Sequence, residues 1–134
     1  MTDISYMIYT NNERYKIYYY QDSNTKRVPV LDYIKKLSEK DKVKVAAYII
    51  FLREQNGYIN EPYGRYICSG IRELRVEFSR NRHRIFYVTV EGKKIILLYA
   101  FLKKTRKTPR IEIEHALNNF RDYKLYKGLI KYEE

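Results

Sequence analysis

The feature that most restricts how this chain can fold is the run Ile95–Leu102, apolar without interruption and set between Gly92 and a cluster of cations. A strand with one wet face alternates polar and apolar side chains, whereas an unbroken apolar run suits a strand covered on both faces. The run therefore predicts a central strand with a neighbour on each side. It stops abruptly at Lys103, Lys104, Arg106 and Lys107, so a rigid element delivers four cations to one end of a sheet. A polyanion can be held there.

The rest of the chain supplies the neighbours. From Ile71, the residues Leu74, Val76 and Phe78 alternate with Glu73, Arg75 and Glu77, which predicts a strand with Arg75 facing away from the core. Ser79-Arg80-Asn81 makes a turn into a second strand, Arg82 to Glu91, in which His83, Ile85, Tyr87 and Thr89 oppose Arg82, Arg84, Phe86 and Val88. Glu91-Gly92 is a tight hairpin turn into the central run. On the other side, the Tyr-rich stretch Ile17–Gln21, closed by Asp22-Ser23-Asn24, is a short strand and the natural second neighbour.

Helices fill the gaps. Pro29 suits a first helical position, with Val30, Tyr33, Ile34 and Leu37 at helical spacing. Ser38, with Asp41 three residues on, resembles a capping signal for a second helix. There Val43, Ala46, Ala47, Ile50 and Phe51 form one stripe, widened by Val45, Tyr48, Ile49 and Leu52, and Gly57 ends the helix. So wide an apolar surface predicts a helix wedged between the sheet and another element. Asn60–Gly70, with Pro62, Gly64 and Gly70, reads as a loop carrying Arg65 and Tyr66. Thr108-Pro109 gives an N-cap and a first helical proline, followed by the apolar face Ile113, Ala116, Leu117 and Phe120. The chain thus reads as one α+β domain over residues 1–134: an N-terminal strand, two helices packed on a twisted, mainly antiparallel sheet with a three-strand meander, and a C-terminal helix. Residues 1–14 form an unassigned arm and residues 124–134 a Lys-rich tail.

Charge narrows the partners. Lys and Arg number 27 against 16 Asp and Glu, a net +11. The segment Arg80–Arg110 carries ten Lys and Arg residues and one acid, Glu91. Such a face favours nucleic acid, bound with strong salt dependence, and can also serve an acidic protein. The single Cys68 excludes an intrachain disulfide framework and points to a reducing compartment. No apolar stretch approaches the ~20 residues that cross a bilayer, and the N-terminus lacks a signal-peptide layout. A cytoplasmic protein with no membrane partner is expected. One Cys and two widely separated His give no ligand spacing, so neither a metal site nor a cofactor is predicted.

The ordered pieces Gly70-Ile71-Arg72-Glu73-Leu74-Arg75, Arg84-Ile85-Phe86-Tyr87, Leu98-Tyr99-Ala100-Phe101-Leu102-Lys103-Lys104 and Thr108-Pro109, followed by Glu112, Ile113, Ala116 and Tyr123, carry a resemblance. Together with Pro29-Val30 and Leu37, they make the sequence similar to the HigB-like toxins of the RelE superfamily, the phage-derived group of bacterial toxin–antitoxin systems. The resemblance covers about Ile17 to Tyr123 and lies in the joint order of pieces that are individually weak. It implies a small RelE-like α+β domain and an endoribonuclease, an mRNA interferase that cuts messenger RNA, commonly on the ribosome. It also implies neutralisation by a cognate helix-turn-helix, HigA-like antitoxin.

RNA can be cleaved without metal, because its own 2′-OH can attack the adjacent phosphorus. The protein must orient that attack, stabilise added charge on the phosphoryl oxygens and move protons. The fixed, bidentate fork of arginine suits the second task. Arg75 and Arg84, on neighbouring strands, are therefore expected as phosphate and transition-state clamps with Lys103 beside them. Lys104, Arg106 and Lys107 would hold flanking phosphates, and Tyr66 would join them on the RNA. For proton transfer the sequence leaves open a crowded lysine, the hydroxyl of Tyr66 or Tyr99, and the Glu73 carboxylate.

Plainer uses stand beside these. Arg75 and Arg84 can pair with Glu73 and Glu77, Lys103–Lys107 can be a solvated loop, and His83 shares a strand face with Ile85 and Tyr87, which favours a structural role. His115 flanks a helix face, and most of the 16 tyrosines serve packing. A non-catalytic RNA- or ribosome-binding module is the alternative function.

Overall fold

A computed structural model describes residues 14–133. They form β1 (Lys16–Tyr20), α1 (Pro29–Lys35), α2 (Glu39–Glu54), β2 (Gly64–Cys68), β3 (Ile71–Phe78), β4 (Asn81–Val90), β5 (Lys94–Leu102), α3 (Arg110–Tyr126) and β6 (Leu129–Lys131). The strands make one sheet in the order β2-β3-β4-β5-β1-β6. The apolar run is β5, and it has the two neighbours it requires: β4 antiparallel on one side and β1 parallel on the other. The fold is α+β, with a mostly antiparallel sheet.

Both faces of β5 are covered, which is why its sequence does not alternate. Ile95 and Leu97 pack with Leu74, Val76, Ile85 and Tyr87 beneath Val45 and Ile49 of α2. Ile96, Leu98 and Phe101 pack with Tyr20 and Phe86 beneath Ala116 and Tyr123 of α3. Ile95 through Leu98 are fully buried, and each such side chain contributes roughly 1.5–3 kcal/mol. The sheet is thus a partition between a layer of two helices and a layer of one.

Several local expectations hold. Pro29 opens α1, and the Ser38 side chain accepts the Asp41 N–H at 3.2 Å at the start of α2. Others need correction. Residues 60–70 are not all loop: Gly64–Cys68 is an edge strand paired with β3. Gly64 is the reason the pair can close, since a Cβ there would meet the Glu73 carbonyl oxygen at 2.6 Å and Ile59 Cγ1 at 2.7 Å. The meander therefore has four strands. Helix α3 begins one residue late, with extended Pro109 as the N-cap and the Thr108 hydroxyl buried without a partner.

The residues expected as a tail continue α3 to Tyr126 and then add β6 to β1. Helix α2 is not wedged on all sides. Its buried stripe is Val45, Ile49 and Leu52, whereas Val43 is 70% exposed and Phe51 half-exposed, with no second element over them among the described residues. The arm at residues 1–14 lies outside the described residues, apart from Arg14, whose guanidinium donates to Glu54 at 2.6 Å.

Candidate active site

The β3–β4 turn sets the geometry. Ser79 and Arg80 both take positive φ, 50° and 74°, the two-residue form whose twist matches the strands it joins. With the turn so fixed, the register Phe78↔Asn81, Val76↔His83 and Arg75↔Arg84 follows. The pattern of alternation places Arg75 and Arg84 on the face opposite α1 and α2. Glu73 shares that face two residues before Arg75, and Arg65 of β2 lies directly across from Glu73.

Glu73 is the hub. Its side chain is fully buried, and one oxygen, Oε1, accepts Arg75 Nε at 3.0 Å and Arg65 Nε at 3.3 Å. The other, Oε2, lies 4.0 Å from Arg84 Nε, and neither of these two buried atoms has a hydrogen-bond partner. Arg84 is itself buried, 4% exposed. Its remaining nitrogens donate to the Glu77 carboxylate at 2.8 Å and to the His83 carbonyl at 3.1 Å. The plainer ion-pair use is present: Arg75 holds Glu73 and Arg84 holds Glu77.

Lys103 completes the cluster. Leu102 is the last residue of β5, and the Lys103 N–H still donates to the Arg82 carbonyl at 2.8 Å, so the side chain leaves the sheet from a fixed point. Burial pushes its ammonium below the ordinary lysine range, and the nearby charges of Arg84, Arg75 and Arg65 push it further, against the opposing pull of Glu73. Four cations therefore surround one buried carboxylate at one corner of the sheet, leaving an excess of positive charge where Arg65 is still 40% exposed.

Behind β4 a buried chain of polar groups holds the strand. Asp41 accepts from Asn81 at 2.8 Å and lies 2.8 Å from His83 Nε2. Its hydrogen bond from Asn81 lowers its pKa, helped by His83, despite burial. The ionised carboxylate accepts a hydrogen bond from Nε2–H, so Nδ1 accepts one from the Tyr33 hydroxyl at 2.7 Å. Burial, with Asp41 nearby, pushes Tyr33 up to about 12. His83 is 1% exposed, with both ring nitrogens engaged, by Tyr33 and Asp41.

A family model described as phage derived protein Gp49-like matches residues 32–121. The chain belongs to that family. The Gp49-like family lies within the RelE/HigB-like toxin superfamily and is a toxin family of toxin–antitoxin systems, so an antitoxin is the partner that membership implies. No curated protein sequence matches the chain significantly.

All the clustered residues fall inside the part of this Gp49-like chain that matches the family model. Arg75, Arg84 and Lys103 are brought together as expected. Lys104, Arg106 and Lys107 are exposed in the loop after β5, where the Thr105 hydroxyl donates to the Lys107 carbonyl at 2.6 Å. Tyr66 is not brought to the cluster. It pairs with Arg72, on the strand face opposite Glu73, and its hydroxyl accepts the Gly70 N–H at 3.2 Å. Tyr99 donates to Glu112 at 2.8 Å, so its hydroxyl is occupied by α3. Arg65 is the residue that sequence reasoning missed. Its signal, alternation with Tyr66 in Gly64–Cys68, was masked by the flanking Pro62 and Gly64. No helix among the described residues is long and apolar enough to cross a membrane.

Proposed function

We propose that this Gp49-like protein is a HigB-type toxin, a metal-independent endoribonuclease that cleaves messenger RNA during translation and is neutralised by a HigA-like antitoxin. The observation that carries the reading is the direct cross-strand placement of Arg75 and Arg84 around buried Glu73, with Lys103 beside them. Two guanidinium groups on rigid adjacent strands can grip the non-bridging oxygens of one phosphodiester. As the 2′-oxygen bonds to phosphorus, the 5′-oxygen departs; a proton leaves the former and one reaches the latter. The arginines stabilise the extra charge on phosphorus, and Lys103, holding its proton less firmly than an ordinary lysine, is the group best suited to supply one to the leaving oxygen. Lys104, Arg106 and Lys107 hold flanking phosphates.

Purified protein added to translating ribosomes, and separately to naked RNA, should cut at least one of them, and Arg84→Ala should abolish cutting while the fold persists. Absence of scission on both substrates defeats the catalytic reading. One observation favours a non-catalytic RNA- or ribosome-binding module instead: both arginines already hold carboxylates. That module would bind RNA with salt dependence and leave it intact.

A further inference from the structure

The candidate active site uses the cations at the Lys103 end of β5 and leaves those at the other end unexplained. There Lys16 of β1 and Lys94 of β5 lie directly side by side in the parallel pair. They share a face, since the next pair, Ile17 and Ile95, belongs to the α1/α2 layer and the following residue, Ile96, to the α3 layer. Lys131 of β6 opposes Tyr18 on that same face, and Lys124 and Lys127 come down from the end of α3. A groove of about 420 Å³ is lined by three of these lysines, Lys94, Lys124 and Lys127, with Phe120 and Tyr123, and Glu91 is its one acid.

Like charges placed side by side on a sheet are destabilising, and none of these five lysines has a carboxylate within ion-pair distance among the described residues. Three of the ammonium groups are instead parked over rings: Lys94 over Tyr18 at 5.9 Å, Lys124 over Phe120 at 4.6 Å and Lys127 over Tyr123 at 5.1 Å. Such contacts hold the long side chains in place, so less rotamer freedom is lost when an anion arrives. The dipole at the end of α3 accounts for Lys124 in the last turn, but not for Lys16 beside Lys94.

We infer that this end of the sheet is a second phosphate-backbone site, a lysine platform that grips RNA remote from the candidate site of cleavage. It rests on the ribonuclease reading for its choice of RNA. By strand rise, Lys94 and Lys103 stand roughly 30 Å apart along β5, so a long RNA can reach both and a dinucleotide only one. Lysine suits the task as a mobile point charge for phosphate, carrying no base preference. Lys16, Lys124, Lys127 and Lys131 lie outside the residues that match the Gp49-like family model.

The test is a salt series of binding by fluorescence anisotropy, using long 2′-O-methylated RNA, which lacks the attacking hydroxyl and stays uncut. The full chain and its Lys94→Gln/Lys124→Gln/Lys127→Gln variant are compared, with thermal unfolding confirming an intact fold. The variant should bind at least tenfold more weakly at physiological salt, and its log–log salt slope should fall by about two, at roughly 0.7 per single-strand phosphate contact. Cleavage of a dinucleotide should be unchanged. Running single-stranded and duplex RNA in parallel identifies which backbone the platform prefers; loss with either sustains it. Unchanged affinity and slope for both overturns it, as does loss of binding to polyglutamate with RNA binding intact, which would assign the surface to an acidic protein. A weakened slope in a protein that cuts nothing would sink the ribonuclease reading and leave the platform standing.

Discussion

Arg75 and Arg84 face each other across adjacent strands, and both approach the same buried carboxylate, Glu73. Two like charges in a cross-strand pair repel, so the arrangement persists because Glu73 and Glu77 hold one guanidinium each. The pairing makes each arginine's fork part of the design rather than its charge alone.

Replacing either arginine by lysine keeps the charge and discards the fork. Arg75→Lys and Arg84→Lys should each lower RNA cleavage by ~10² while changing RNA affinity far less. Single-turnover kinetics on a defined RNA separates the two quantities, and equal losses in both would reduce the arginines to anchors.

Glu73 is the element whose removal should be felt in the fold. Glu73→Ala leaves Arg75 and Arg65 without their shared acceptor in a partly desolvated corner, at a cost of about 2–3 kcal/mol. Urea denaturation measures it. Gly64→Ala should damage the same corner from the other side, by about 1–3 kcal/mol, because the new methyl collides with the Glu73 backbone.

Lys103 should trade stability for function. Its pKa is lowered in the folded state, so the protonated form is disfavoured there relative to the unfolded chain, and the penalty is present below the folded value and relieved as pH rises toward the ordinary lysine range. Lys103→Gln should therefore melt higher than the parent at pH 7, with the gap narrowing as the pH approaches 10.5, yet cut RNA more slowly. A variant that melts lower at pH 7 contradicts the strain assigned to this ammonium.

Asp41 carries the opposite sign. Its folded pKa lies below the ordinary 3.8, so its contribution is present above 3.8 and is lost as pH falls through the lower folded value. Asp41→Asn should lower the melting temperature at pH 7 and converge with the parent in acid. A gap that stays constant down to the lowest pH would show that the His83 and Asn81 contacts, not the charge, do the stabilising.

Much of this was legible in the sequence, and the reasons are local. The run Ile95–Leu102 announced a strand buried on both faces, and alternation put Arg75 opposite Leu74 and Val76, and Arg84 opposite Ile85 and Tyr87. What escaped depended on distant neighbours. Gly64 reads as a loop residue until the Glu73 backbone is seen pressing on it, and Arg65 became part of the cluster only once that strand paired. Periodicity in α2 offered one wide apolar surface, and only the sheet could choose Val45 and Ile49 over Val43. Tyr66, read as a loop residue, sits in β2 one residue on from Arg65 and therefore on the opposite face.

The parallel pairing of β1 with β5 fixes an order of assembly. Strands β2 to β5 are consecutive and can zip by hairpins, each turn drawing the next strand in, so the arginine corner is built from contacts close in sequence. Joining Lys16 to Lys94 closes a separation of 78 residues, more than half of the chain, and comes late, since contacts between distant segments form slowly. During synthesis the arginine corner would thus take shape before β1 joins β5, and β6, emerging after α3, adds to β1 last of all.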